Sequence, residues 1–418
     1  MKRIVIIGGG AAGLMAANRI IELYDKSTTE IVLVEKNPRP ARKVMITGKG
    51  RCNVTNNCDV NTLIANTVKN GKFLYSAFNN FSSTDTMNFF ESRGVALKTE
   101  RGNRVFPVSD KAVSIVDALS KAPLKYCQVL EESAEEILTE NGAVKGVLLK
   151  SGKKLSADFV ILATGGASYS GTGSTGDGYK IASALGHTVT ELKPSLVGLN
   201  CHEGFCTRLA GLSLKNVTLS IFEEGKKKPV FKDLGEMLFT HTGVSGPLAL
   251  SGSAYIRYIE KKNYYLEIDL KPALDEAQLD KRILRDFEEE LNRNFANSLD
   301  KLLPKSLIPV VVNLSGIAGD TKVNQISREQ RMALVSVIKH LRLNVTSFRP
   351  LEEAIITSGG IKVSEIDPSN MASKLVNGLF FAGEIIDVDA FTGGFNLQIA
   401  FSTGVAAAEG VIEILNNF

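Results

Sequence analysis

Residues 2–14 read Lys2-Arg3-Ile4-Val5-Ile6-Ile7-Gly8-Gly9-Gly10-Ala11-Ala12-Gly13-Leu14, and their order decides the fold. Two charges open the stretch, four β-branched apolar residues follow, and the chain then meets Gly-x-Gly-x-x-Gly. A short β-branched run that stops at glycine fits a strand buried on both faces of a parallel sheet. The glycines fit a sharp turn into a helix. Gly8 permits the turn, Gly10 lets a pyrophosphate approach the backbone, and Gly13 lets the helix pack closely on the strand. The phosphates then meet the unpaired N–H groups at the positive helix end, beside Ala11 and Ala12. A second apolar run, Glu30-Ile31-Val32-Leu33-Val34, stops at Glu35, about 20 residues past the last glycine. A carboxylate there can accept from both hydroxyls of an adenosine ribose, and it repels a 2′-phosphate. Strand, turn, helix, strand and terminal Glu together predict an adenine-dinucleotide site.

Lys2-Arg3 ahead of an apolar stretch also resembles a signal peptide, but three glycines within it and the continuation to Glu35 fit the nucleotide fold better. No other window approaches 18 uninterrupted apolar residues, so no membrane partner is expected. The 418 residues suffice for two or three domains, and 44% apolar with 22% charged residues is ordinary for a soluble protein. A net charge of +4 suits an anionic cofactor or substrate and is too small to call for nucleic acid. Five scattered cysteines form no disulfide framework, which places the chain in a reducing cytoplasm.

A second signature lies near the C-terminus. Gly378-Leu379-Phe380-Phe381-Ala382-Gly383-Glu384 reads as a buried strand ending at a glycine and a carboxylate. Asp387, Asp389, Thr392-Gly393-Gly394-Phe395-Asn396-Leu397 and a helix of small residues follow. Such a strand can aim Glu384 at ribityl hydroxyls, and the glycines admit a flavin. The helix start offers N–H groups to the flavin N1–C2=O edge, where two-electron reduction places negative charge. An early βαβ unit and a late Gly-Glu strand match the two ends of FAD, which is the expected cofactor.

Two further segments belong to the same sheet edge. Asp158-Phe159-Val160-Ile161-Leu162-Ala163-Thr164-Gly165-Gly166 is a strand running into glycines. Gln128 to Ile137 and Val144 to Leu149 alternate as a hairpin turning at Asn141-Gly142, with Ala134 near the adenine. Thr172 to Gly178 opens an amphipathic helix through Leu185, where Asp177 reads equally as a helix-start residue or a ligand contact.

These stretches, together with Thr47-Gly48-Lys49-Gly50-Arg51-Cys52-Asn53-Val54-Thr55-Asn56, Phe239-Thr240-His241-Thr242-Gly243-Val244-Ser245-Gly246-Pro247 and Thr357-Ser358-Gly359-Gly360-Ile361, make the chain recognisable. It resembles, nearly end to end, the bacterial BaiN-like and aminoacetone-oxidase-like flavoproteins, many described only as FAD-utilising dehydrogenases. Lys49 departs from that pattern, where a small residue is expected between two glycines.

The resemblance implies an α/β chain with a Rossmann-like FAD-binding domain of the glutathione-reductase type, an inserted β-rich domain and a small helical domain. The FAD-binding domain takes residues 1–192 and 347–418. The β-rich roof takes 193–272 with part of 305–346, and the helical part takes 273–346. In the insertion Leu214 to Phe222, Pro229 to Phe231 and Tyr264 to Leu270 read as strands. Leu279, Ile283, Leu284, Phe287 and Leu291 recur at helical spacing, and a second helix runs from Arg328 to Leu341. The expected cofactor contacts are Gly8, Gly10, Ala11, Ala12, Gly13, Glu35, Lys36, Lys43, Gly48, Arg51, Cys52, Asn53, Ala134, Thr164, Gly165, Gly383, Glu384, Asp387, Gly393, Gly394, Asn396 and Leu397. Among them the Arg51 guanidinium can pair with phosphate and the Asn53 amide can bond a flavin edge.

The insertion lacks a second strand-borne Gly-x-Gly-x-x-Gly, so NAD(P)H is expected to visit as a transient donor without a Rossmann domain of its own. Cys52 and Cys58 are spaced unlike a flavin disulfide reductase and read as a packed thiol and an incidental one. His241 has two readings, a proton donor or anion contact at the flavin and a hydrogen-bonded turn histidine. No metal-ligand spacing links the histidines and cysteines, and no metal is expected. The expected function is hydride transfer between flavin and a small organic substrate or NAD(P)H. An oxidase of small amines that makes hydrogen peroxide is the alternative within the class. A non-catalytic FAD carrier directed at RNA is the alternative outside it, disfavoured by the charge.

Overall fold

The computed structural model describes residues 1–24 and 28–417, and they fall into two compact units, residues 1–195 with 351–418 and residues 196–350. The first unit is built on a five-stranded parallel sheet. Its order is Leu379–Phe381, Phe159–Leu162, Lys2–Ile7, Thr29–Glu35 and Gln128–Glu131. Ile4 to Ile7 and Val160 to Leu162 lie in its middle and are buried on both faces, the environment an unbroken β-branched run demands.

Helices Ala11–Leu23 and Phe395–Asn416 pack against each other in this unit. Their approach depends on small residues: a Cβ on Gly404 would lie 2.5 Å from the Ala12 carbonyl oxygen. Helix Phe395–Asn416 is long and apolar enough to cross a membrane by length and composition, and it is mostly buried inside the protein.

One expected hairpin divides differently. Gln128–Glu131 joins the parallel sheet as its edge strand, and only Ala134–Glu140 pairs with Ala143–Leu149. The turn residues Asn141 and Gly142 both have positive φ, 54° and 74°, as a two-residue hairpin turn requires. The last bond of the parallel pairing is donated by Glu132 N–H to the Glu35 carbonyl.

The second unit is a closed six-stranded barrel in the order Leu199–Cys201, Gly243–Ser245, Phe231–Thr240, Ser213–Glu223, Tyr264–Asp269 and Leu341–Phe348. Closure leaves no sheet edge to pair with another chain. Two of its strands exceed the sequence expectation. Phe231–Thr240 runs well beyond Phe231, and Leu341–Phe348 starts at the residue where the sequence places the end of a helix. In the latter Leu341 and Leu343 are buried while Arg342 and Asn344 are exposed, the period of two that a strand shows. Helices Glu276–Glu288 and Arg328–Lys339 start at capping boxes, Asp275 with Gln278 and Ser327 with Gln330. Their buried faces, Leu279, Ile283, Phe287, Leu334 and Val335, belong to the same apolar core as the barrel.

Candidate dinucleotide site

Parallel pairing puts Gly8, Glu35, Thr164 and Gly383 at the carboxyl ends of neighbouring strands, the edge where open α/β sheets bind ligands. Gly8 has φ +106°, and a Cβ there would lie 2.5 Å from the Ala163 carbonyl oxygen. Gly13 is tighter still: a Cβ would meet the Gly8 oxygen at 1.9 Å. Gly10 is the opposite case, with nothing within 4 Å of where a side chain would start. The helix Ala11–Leu23 begins at Gly10 with no side-chain cap and no acid in its first turn. Ala11 and Ala12 are the first two residues of this uncapped helix, Ala12 buried behind it.

Glu35 is buried at the end of the second strand. Its Oε2 accepts from Gly9 N–H at 2.7 Å, and its Oε1 accepts from Asn37 N–H and Asn37 Nδ2, each at 2.7 Å. A carboxylate offers about four acceptor positions, and these bonds fill the pair on Oε1. The expectation of two ribose bonds narrows to one, through Oε2. Gly173 closes against Asn37, whose Nδ2 also donates to the Thr172 carbonyl at 3.3 Å. Asp177 takes the role of ion-pair partner to Lys36 at 2.7 Å, and Lys36 also bonds Thr175. Ala134 lies two residues beyond Glu132, whose N–H donates to the Glu35 carbonyl.

Glu384 and Lys43 make a closed polar cluster. Lys43 Nζ lies 2.8 Å from Glu384 Oε2 and 2.9 Å from Ser168 Oγ. Glu384 Oε1 accepts from Thr357 N–H at 2.8 Å and from Ser168 Oγ at 3.1 Å, while Thr357 Oγ1 accepts from the N–H groups of Ala167 and Ser168. The carboxylate expected to reach ribityl hydroxyls is thus held by protein donors. Ser168 stands in no motif, and Thr357 opens a characteristic stretch without a readable role; only the fold brings them to Glu384.

The Thr47–Asn53 loop follows a left-handed path, with φ +56° at Gly48, +59° at Lys49 and +60° at Cys52. Lys49, the departure from the family pattern, is exposed. Arg51 is corrected from a phosphate contact to an anchor. Its guanidinium bonds both Glu100 and Asp110 and stacks 4.2 Å over the Phe106 ring. Hydrogen bonds donated to Glu100, then Asp110, hold its pKa above the usual arginine value; Arg51 pulls the Glu100 carboxyl below its usual range, and Lys98, then Arg51, does the same to Asp110. Burial pushes the Cys52 thiol up to about 12 and the Cys58 thiol up to about 11, and both are free, which is the packed-thiol reading.

At the C-terminal end, Asp387 is buried against Lys69 Nζ at 2.7 Å and Asn70 Nδ2 at 3.3 Å. Asp389, also buried, accepts from Ser195 Oγ at 2.9 Å and Ser358 Oγ at 3.1 Å, and burial raises its pKa. Asn396 clamps its own turn through Ala390 N–H and the carbonyls of Ala390 and Phe391. Gly393 and Gly394 lead into the helix Phe395–Asn416, which has no side-chain cap and no acid in its first turn, where half-buried Leu397 sits. His241 lies in the second unit, at the exposed turn between two barrel strands; its carbonyl accepts from Thr207 Oγ1 at 2.8 Å. Among the described residues no group of His, Cys, Asp or Glu suits a metal ion.

Two observations test the fit of FAD. Gly10 fronts a space that a Cβ would begin to fill, beside an uncapped helix start. Asn53 Oδ1 and Thr164 Oγ1, both expected contacts, are buried with no hydrogen-bond partner. Buried polar atoms are normally paired, and a ligand bearing hydroxyls and ring N–H groups supplies what these lack. The residues fit the group.

Fold and site together define the class, an FAD-dependent oxidoreductase with a Rossmann-type domain. The chain belongs to the family described as "HI0933-like protein Rossmann domain", which it matches over residues 2–410. It is 28% identical to the 3-dehydro-bile acid delta(4,6)-reductase of Clostridium scindens, covering 99% of this chain and 100% of that one. It is 32% identical to the ribosomal RNA dihydrouridine synthase of Haemophilus influenzae, covering 97% of each. Among solved structures, the open conformation of a flavocytochrome c3 fumarate reductase shares the fold, with a TM-score of 0.53 at 16% identity over 99% of this chain and 78% of that one.

Proposed function

We propose that this protein is an FAD-dependent reductase that delivers a hydride to a carbon–carbon double bond conjugated to a carbonyl, with NAD(P)H as transient donor. The observation that carries this reading is full-length similarity to two differently named relatives. A 4,6-diene beside a 3-oxo group and the C5=C6 bond of uridine are both alkenes made electron-poor by a carbonyl. Saturating either is the same two-electron chemistry on different scaffolds.

When bound, FAD supplies that chemistry by carrying a hydride at N5. The chain's residues bind and orient it. Gly10 and the helix start at Ala11 take the pyrophosphate, Glu35 Oε2 takes a ribose hydroxyl, and Asn53 and Thr164 offer their unpaired oxygens. The uncapped start of helix Phe395–Asn416 favours negative charge, the sign that reduction adds to the flavin pyrimidine edge.

The test is anaerobic. Protein reduced by NADH or NADPH is mixed with a 3-oxo-4,6-diene bile acid or with uridine-containing RNA, and flavin reoxidation is timed. Reoxidation by one of these, with a product carrying the added hydrogens, is expected. Reoxidation only by oxygen, with peroxide release and an amine as the electron source, would replace this reading with an oxidase.

A further inference from the structure

We propose that Arg101 and Arg104 form the site that takes the anionic group of the substrate, a phosphate or a carboxylate. The placement of that site beside the chemistry rests on the reductase reading above. What it binds rests on the charges of one hairpin.

Strands Leu97–Glu100 and Arg104–Pro107 pair antiparallel, with Glu100 opposite Arg104. Two neighbouring cations are matched: Arg51 bonds Glu100 and Asp110, and Lys98 lies 2.7 Å from Asp110. Arg101 and Arg104 are the surplus. Both are exposed at the hairpin tip, and no carboxylate among the described residues lies within ion-pair distance of either. Arg104 spends Nε on the Arg101 carbonyl at 3.0 Å and lies 5.9 Å over the Phe106 ring, which leaves its two terminal nitrogens without a hydrogen-bond partner.

The turn itself does not need them. Gly102 and Asn103 carry the positive φ angles, 75° and 57°, that reverse the chain. The two guanidinium groups flank this short turn, where a single anion can meet both. Guanidinium groups match the planar oxygen pairs of carboxylate and phosphate.

The tip is tied to the flavin end of the candidate site. Buried Asn56 donates through Nδ2 to both the Gly102 and Gly393 carbonyls, each at 3.0 Å, and Asn57 N–H donates to the Asn103 carbonyl at 2.7 Å. Gly393 precedes the helix whose start is expected at the flavin. An anion held by this tip therefore belongs to whatever reacts there. A bile acid carries a carboxylate and RNA carries phosphates, so both named relatives act on anions.

The test compares the full-length holoprotein with the variant R101Q/R104Q by equilibrium binding. The probes are a short fluorescein-labelled oligouridine, a 3-oxo-4,6-diene bile acid and the methyl ester of that acid. The variant should lose roughly tenfold or more in affinity for the anion that wild type binds, with ester binding and flavin content unchanged. If the oligouridine is that anion, the slope of log affinity against log salt should flatten by about 1 to 1.5. Preference for oligouridine identifies phosphate; preference for the acid identifies carboxylate. The proposal is overturned if wild type binds neither anion, if the variant binds the anion as wild type does, or if ester affinity falls equally. Anion binding that depends on the arginines without any reduced product sinks the reductase reading and leaves this assignment standing.

Discussion

The Lys43 ammonium lies 2.8 Å from the Glu384 carboxylate, joining the segment after the first βαβ unit to a strand end 341 residues later in the chain. Both side chains are mostly buried, so the pair sits between the weak surface case and the costly buried one. Lys43→Met should leave an uncompensated carboxylate and cost about 1–3 kcal/mol, against less for Lys43→Met with Glu384→Gln together. Urea unfolding of the single and double variants measures this. Additive losses would mean that the two groups do not act as a pair.

Glu35→Ala removes one acceptor for the adenosine ribose and strands the Gly9 N–H. Affinity for FAD should fall about 10- to 100-fold, the cost of a hydrogen bond to a charged group, with the fold retained. Titration of flavin-stripped protein with FAD checks it, and unchanged affinity would remove Glu35 from the site.

Gly13 and Gly10 should fail in different ways. Gly13→Ala places a methyl 1.9 Å from the Gly8 oxygen and should yield little folded protein. A Cβ at Gly10 meets no protein atom within 4 Å, so Gly10→Val should fold, yet lack colour because its branch occupies the pyrophosphate space. Circular dichroism beside the visible spectrum separates the two.

Burial holds the Cys52 thiol protonated up to about pH 12 in the folded chain, whereas the unfolded chain loses that proton near the ordinary thiol value. The unfolded state therefore binds fewer protons in that window, and stability falls as pH rises through it, by up to about 1.4 kcal/mol per pH unit. Cys52→Ser should flatten the fall. Removing Cys52 and Cys58 together should spare turnover, and loss of turnover in each single variant as well as in the double one would indicate a cycling disulfide.

The sheet and its glycines were legible because their causes are local. A β-branched run ending at Gly8 and a carboxylate at Glu35 carry their geometry in their spacing. The barrel was only partly legible: Leu341 to Phe348 follows a helix without a turn residue, and its alternation shows only once the helix is known to stop at Lys339. The partners of Arg51, Glu384 and Asp177 were not legible at all. A charged residue in a motif looks like a ligand contact until the fold shows which opposite charge it already faces, as Glu100 and Asp110 face Arg51.

The central claim is a single FAD held by the Gly10 turn and the Asn53 and Thr164 oxygens. The direct measurement is the visible spectrum of the purified full-length protein after incubation with FAD and removal of excess, with mass identification of the released cofactor. The expected result is an oxidised-flavin spectrum at one FAD per chain in wild type and its loss in Gly10→Val. Colourless wild-type protein, or equal flavin in both, would contradict it.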